Sequence, residues 1–437
     1  MVSVEVVGHP PISTPRQILM NVYWFSINMM WASLFLIIMP YHIQALAGIT
    51  EKGKLLALVV SMGGIVSILA APIFRALSDH SFLPGGRRKP WVVIGSLAVM
   101  FALAVLSAST KLTTTASLPG WIIAFLMLQI FGNAASAPCG ALISAQLSTQ
   151  RTSTVDWQGL MTMIGIFAGA ATGFLIAPLG VPAVFNILIG VVFIGTLLTV
   201  LSTSDAVLLP DVPRLVLPEF LKSIYLPFHN KDFALMFLNR LLIGMGLFTI
   251  QEFIFYYMTD AFMAPYTLPF LGQVTRKPEG AASVFFVAVF LGAIVASVLA
   301  GFFSDASNRK KILYATSLMF ALTCTVFTFT RSFSFSIFMG LIFGIGYGAY
   351  DRLAWRMVSD IFPSVRNYGK NMGIWHIAVV LPQVIATPIG GFLLDYFQKV
   401  GLQKQVHHMG YIVIFVVAVI YFVLGSIVLR KIKGIHG

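Results

Sequence analysis

Three observations predict an all-α membrane protein with twelve transmembrane helices in two pseudo-symmetric six-helix bundles. Only 10% of the 437 residues are charged and 58% are hydrophobic, whereas a soluble domain carries about 25% charged residues. Apolar runs long enough to cross a bilayer recur along the whole chain. The polar connections between them repeat a charge pattern in the second half. So few charges cannot clothe a water-facing surface, so lipid is the main solvent of the exterior.

Crossing ~30 Å of hydrocarbon at about 1.5 Å per residue takes about 20 mostly apolar residues. The runs that satisfy this lie near 17–39, 55–77, 90–108, 121–147, 157–178 and 182–203, then near 233–259, 281–303, 311–330, 334–359, 371–397 and 410–430. Helices are the expected spans, because backbone polar groups in lipid must be satisfied within the segment. A β-barrel would instead show short alternating runs. The N-terminal MVSVEVVGHPPISTPRQ lacks the layout of a cleaved signal peptide, so the first span is expected to persist and direct insertion.

The net charge of +13 would suggest nucleic acid in a polar chain. Here the basic residues sit between apolar runs and read as topology signals, with no nucleic-acid partner expected. An even number of spans places both termini on one side. Seventeen Lys and Arg fall on the terminal side and eight on the other, with Arg240, Arg352 and Arg356 inside spans. That ratio predicts cytoplasmic termini and a multi-pass protein of the plasma membrane. The longest polar connection, 204–232, divides an N-terminal bundle, 1–203, from a C-terminal one, 233–437. Cys139 and Cys324 both fall in apolar runs, so no disulfide framework is expected.

The halves repeat in register. Span 2 ends in Ser78-Asp79, followed by Gly86-Arg87-Arg88-Lys89; span 8 ends in Ser304-Asp305, followed by Asn308-Arg309-Lys310-Lys311. Spans 4 and 10 both contain Phe-Gly (131–132 and 343–344), and spans 5 and 11 open with Gly159-Leu160 and Gly373-Ile374. Paired membrane halves place a substrate site between them near the midplane. Asp79 and Asp305 sit where a helix dipole disfavours an anion. The cations that follow, Arg87, Arg88 and Arg309, suit either compensation and gating or plain anchoring of the loop.

Asp followed by Gly-Arg-Arg-Lys, with a second copy between spans 8 and 9, resembles the major facilitator superfamily over essentially the whole chain. The stretch Gly86 to Gly95 (GRRKPWVVIG), and Gly369-Lys-Asn-Met-Gly-Ile-Trp375 followed by Leu381-Pro382-Gln383, look more narrowly like sugar–cation symporters of the glycoside–pentoside–hexuronide and sucrose-transporter type. Arg75 stands where the first loop motif usually has glycine, and His376 where related sequences tend to carry asparagine. The resemblance implies the major facilitator fold and secondary transport of a small solute by alternating access, with coupling to protons or sodium. It also implies that spans 1, 4, 7 and 10 line the cavity.

The distribution of polar residues agrees with that lining. Intramembrane polar groups are costly and face cavities. They concentrate in Asn21 and Asn28 of span 1, Gln129 and Asn133 of span 4, Arg240 of span 7, and Asp351, Arg352 and Arg356 of span 10. Arg352 and Arg356 are four apart, share a face and repel. Arg356 can reach Asp360, and Asp351 can pair with Arg240 across the bundle, either beside the substrate or as a purely structural ion pair. Trp24 and Trp31 share a face of span 1, and Trp31 is the better placed for a cavity. The candidate substrate residues are therefore Asn28, Trp31, Gln129, Asn133, Arg240, Asp351 and Arg352. The gating candidates are Asp79, Arg87, Arg88, Asp305, Arg309, Arg356 and Asp360. Glu252 falls near the far end of span 7 and reads as interfacial. His376 and Gln383 of span 11 are candidates for a second layer around the site.

No spacing of His, Cys and acid suits a metal, and there is neither a phosphate loop nor a nucleophile elbow. An enzyme, a cofactor and an ATP-driven pump are accordingly not expected. The expected partners are a small-molecule substrate, a proton or sodium ion, and the lipid bilayer, with the chain a monomer. An organic-anion or drug transporter of the same fold, and a transport-dead receptor or assembly factor, remain open alternatives.

Overall fold

The structure, a computed structural model, describes residues 12–48, 51–79, 81, 83–110, 118–146, 151–205, 226–269, 271–303, 308–361, 368–406 and 408–432. Among the described residues, eleven helices are long and apolar enough to cross a membrane, and a twelfth span is a bent pair. In chain order they are α1 (Thr14–Ala47), α2 (Lys52–Asp79), α3 (Lys89–Ser109), α4 (Leu118–Gln146), α5 (Arg151–Ala170 with Gly173–Leu179) and α6 (Val181–Ser202). After the connection come α7 (Lys231–Asp260), α8 (Pro278–Phe303), α9 (Arg309–Phe329), α10 (Phe333–Ile361), α11 (Tyr368–Gln403) and α12 (Met409–Arg430). Most of the connection, 206–225, lies outside the described residues.

Span 1 is longer than its apolar run. The run ends near 39, just before Pro40, but the helix continues to Ala47 through a π-helical turn at Leu34–Ile38, where the Met39 N–H bonds the Leu34 carbonyl. Proline removes a helical donor and crowds the preceding turn. The wider π turn absorbs that misfit, so the helix bends instead of ending. Span 5 bends by 41° between Ala170 and Gly173. Span 7 changes to a 3₁₀ turn at Gln251–Phe253 before resuming at Ile254. A two-stranded hairpin, β1 (Tyr266–Leu268) and β2 (Gly272–Thr275), covers the loop between α7 and α8. Its three- and four-residue strands are too short to show alternation in the sequence.

The helix pairs repeat between halves. In the first half α1 packs on α5 and α6, α4 on α2 and α3, and α3 on α6. In the second half α7 packs on α11 and α12, α10 on α8 and α9, and α9 on α12. Small residues make the closest of these approaches possible. A β-carbon on Gly244 would lie 2.7 Å from Pro382 Cγ, and one on Gly63 would lie 2.6 Å from the Phe125 ring. The lipid-facing sides carry exposed Leu, Ile, Val and Phe, such as Phe101, Leu201, Leu318 and Ile420.

Both described ends of the chain lie on one side, here the terminal face. The Arg16 Nε donates to the Ser202 carbonyl, tying the start of α1 to the end of α6. The Lys310 Nζ donates to the Arg430 and Ile432 carbonyls, tying the start of α9 to the end of α12. The two halves meet through α2 on α11 and through α5 on α8, again a symmetric pair of contacts.

Candidate functional site: a central ion pair beneath a closed face

At mid-membrane the Arg240 Nη2 donates to Asp351 Oδ1 at 2.7 Å. Arg240 lies nine residues from the start of α7 and Asp351 ten from the end of α10, so both sit about 14–15 Å from the terminal face. The pairing expected across the bundle therefore forms. The residues beside it fix its register. The Tyr350 hydroxyl donates to Asn239 Oδ1 at 2.9 Å, and the Asn239 Nδ2 donates to the Gly425 carbonyl at 2.8 Å, which ties α10, α7 and α12 together. The guanidinium also lies 5.4 Å from the centroid of the Tyr350 ring, a favourable cation–π geometry. Arg240 Nη1 is buried and has no hydrogen-bond partner. The Asp351 side chain is 21% exposed.

The other sequence candidates spread around this level. The Asn28 Nδ2 donates to its own helix at Trp24 and, at 3.4 Å, to Thr162 of α5. The Asn133 Nδ2 donates to the Gln129 carbonyl and to Ser67 Oγ of α2 at 3.1 Å. Gln129 is buried against Gly63 of α2. Trp31 stacks on Phe35 and packs edge-on against Gly132 of α4, where a β-carbon would lie 2.8 Å from its ring. Trp24 packs on Gly140 of the same helix. The polar residues of the first half thus bond within their own bundle, while Trp31 and Asn28 keep half-buried surfaces. Arg352 and Arg356 are half-buried on α10.

At the loops, the Arg88 Nη1 donates to the Ala141 carbonyl at the end of α4. Asp205 accepts from the Arg88 and Lys89 backbone N–H groups at 2.7 and 3.0 Å, capping α3. Arg87 is half-buried in the same loop, and Arg309 opens α9. Asp305 and the side chains of Asp79, Asp360 and His376 lie outside the described residues.

The largest correction concerns the face opposite the termini. Lys52, counted by sequence among the outer topology charges, is 2% exposed. Its Nζ donates to both Asp260 oxygens, at 2.9 and 2.7 Å, and lies 4.5 Å from the centroid of the Tyr256 ring. The Tyr411 hydroxyl donates to Asp260 Oδ2 at 2.6 Å. Asp395 of α11 accepts from the Gly53 and Lys54 backbone N–H groups at 3.0 and 2.7 Å. A carboxylate there satisfies orphan donors at the positive end of α2. Gly391 comes so close to Gly53 and Ala57 that a β-carbon on it would collide with both. Gly173 of α5 packs equally tightly on Glu279 and Ser283 of α8. These contacts join the two halves and close this face. The carboxylates here also reach the hairpin. Burial, and then the charges of Glu279 and Asp260, hold the Tyr266 hydroxyl above the ordinary phenol range.

Glu252 is the second correction. It is 1% exposed and sits in the 3₁₀ turn of α7, not at a wet interface. Charge counting read these residues by their position near the far ends of spans, and only their partners across the seam make them buried. The adjacent glycines Gly390 and Gly391, one turn before Asp395, were the readable sign of a close crossing.

Residues 252–434 match the sequence model of the Major Facilitator Superfamily. A 109-residue stretch is 30% identical to the vacuolar membrane amino acid uptake transporter fnx2 of Schizosaccharomyces pombe, covering 25% of this chain and 19% of that protein. A mutant of the nucleoside transporter NupG superposes with a TM-score of 0.70 at 13% identity, over 95% of this chain and 99% of its own. A bacterial homologue of the iron transporter ferroportin, in an inward-facing state, superposes with a TM-score of 0.65 at 13% identity, over 97% and 100%. The chain is a multi-pass membrane protein whose second half matches that family's model and whose fold, over nearly its whole length, is the one these solved structures share.

Proposed function

We propose that the chain is a secondary transporter that moves a small polar solute between its two halves by alternating access. The observation that carries this reading is the Arg240–Asp351 pair, because Asp351 keeps 21% of its side chain exposed at mid-depth. Charge exposed to lipid at that level is costly, so the exposure belongs to a cavity. In this reading Arg240 and Asp351 contact solute. Asn28, Trp31, Gln129, Asn133 and Arg352 shape the cavity, and Arg87, Arg88, Arg309 and Arg356 serve the terminal-face gate. The bundles are 1–203 and 233–437, joined by 204–232. The terminal face is cytoplasmic, so the conformation described is inward-facing.

A sugar or related hydroxylated metabolite is the first substrate class. Trp31 offers a half-buried ring beside Asn28 and Asn133, and the loop and span 11 motifs resemble those of sugar–cation symporters. One observation favours an organic anion as the second class. The buried Arg240 Nη1 lacks an acceptor, and a solute carboxylate would supply one.

The test is uptake by the purified protein in liposomes, for panels of sugars, nucleosides, amino acids and organic anions, with and without a proton or sodium gradient. The reading expects gradient-dependent accumulation of one class, lost in Arg240→Gln. Absence of flux for every class, from protein shown to be folded, would contradict it and favour a receptor or assembly role.

A further inference from the structure

The 3₁₀ turn of α7 holds an acid that the central site does not use. Glu252 is 1% exposed, its Oε2 has no partner, and among the described residues nothing donates a hydrogen bond to it or pairs with it. The turn packs against α2 and against the π-helical turn of α1, both from the other half. The π turn offers only Leu34, Phe35, Leu36, Ile37 and Ile38. Glu252 therefore lies buried on a turn in the seam that closes the face opposite the termini.

Among the described residues, no charged or titratable group on the surrounding elements pairs with Glu252. On α7 itself these are Tyr256, one turn on, whose hydroxyl is also buried without a partner, and Asp260. On α2, Lys52 is taken by Asp260. Lys54 lies 5.4 Å from the Phe392 ring centroid. Asp395 of α11 is taken by the first turn of α2, and Tyr411 of α12 by Asp260. On α1, Tyr41 and His42 follow the π turn, and His42 is stacked on Trp121. Glu279 stands at the start of α8. An ionised carboxylate in this seam would be a buried charge with neither counter-ion nor donor, which protein interiors avoid.

We propose that Glu252 is a proton-binding site whose occupancy governs closure of this face. The seam closes over the neutral acid. When its O–H bond breaks and the proton passes to water, the carboxylate draws water into the seam and the halves part. This rests on the alternating-access reading above, but its test needs no solute. The helix interruption supplies the hinge, since a 3₁₀ turn within a helix is a site of local rearrangement.

The full chain in lipid nanodiscs is read in two ways. Infrared spectroscopy follows the carboxylic-acid carbonyl band, and electron-spin labels on Glu51→Cys and Lys399→Cys follow the separation of the halves. Those two positions are exposed and lie on the closed face, whereas the native Cys139 and Cys324 are buried. The wild-type background is expected to show an acid band that fades as pH rises, with the label distance lengthening in step. Glu252→Gln is expected to lack that band and to stay closed across the range, and sodium at constant pH to leave the band unchanged. A band retained in full by Glu252→Gln, a pH response that survives this substitution, or displacement of the band by sodium would each overturn the proposal. If Glu252→Gln does not fold, Glu252→Asp decides: a titrating band shifted in frequency supports the site, and an unshifted band contradicts it.

Discussion

Two buried ion pairs among the described residues differ in what they connect. Arg240–Asp351 joins α7 to α10 within one half, whereas Lys52–Asp260 joins α2 of one half to α7 of the other. Both are made at 2.7 Å and both shield their cation. If the halves rock as proposed, the first pair can persist through a cycle while the second must break. A pair within a half can hold binding chemistry in place. A pair between halves stores part of the difference between two conformations, together with the Asp395 cap and the glycine contact beside it.

The largest effect should follow from breaking the central pair. Arg240→Gln strands Asp351, and stranding one partner of a buried pair costs about 3 kcal/mol or more. Thermal unfolding of this variant should occur well below wild type. The double variant with Asp351→Asn should recover much of that loss, yet still fail to accumulate solute. Recovery of uptake in the double variant would reduce the pair to scaffolding. Next in size is the glycine contact. Gly391→Val drives a branched side chain into Gly53 and Ala57, an overpacking of about 1–3 kcal/mol that falls on the closed state alone. The variant should open the face opposite the termini, measurable as reagent access to a cysteine placed at Ala57.

Removing one hydrogen bond of the interhalf cluster should do less. Tyr411→Phe leaves Asp260 paired with Lys52 and should favour the open face by about 1 kcal/mol, a shift of several-fold in the population of label distances. Smallest is the rim pair. Glu51 and Lys399 are 64% and 44% exposed and 3.4 Å apart, and exposed pairs contribute about 0–1 kcal/mol. Glu51→Gln should leave thermal unfolding within error, and a large effect would mean that the interhalf contact extends to the rim.

The architecture was legible because lipid leaves the sequence little freedom. Span length, helical backbone and the repeated loop charges follow from the bilayer and from duplication. The Arg240–Asp351 pairing was legible for a related reason, since a deep arginine and a deep aspartate on neighbouring cavity helices have few other partners. What escaped was everything depending on the contact between halves. Lys52 and Asp395 stand near span ends, where a charge ordinarily marks topology, and only their partners across the seam make them buried. The turn at Gln251–Phe253 contains no Gly or Pro to announce it. By contrast, the apolar run near 17–39 understated span 1, because the π turn carries the helix past Pro40 to Ala47.

The central claim is that the two faces open and close in opposition, with the Asp395 cap helping to hold one of them shut. The most direct test places one label pair on Glu51→Cys and Lys399→Cys, and a second on Leu83→Cys and Lys311→Cys at the terminal face, each with and without Asp395→Asn. Asp395→Asn keeps an acceptor oxygen but loses the charge at the positive end of α2, which removes about 0.3–1 kcal/mol from the closed state. The account predicts longer distances in the first pair and shorter ones in the second, moving together in their populations. Distances that stay fixed on both faces, or lengthen on both, would contradict it.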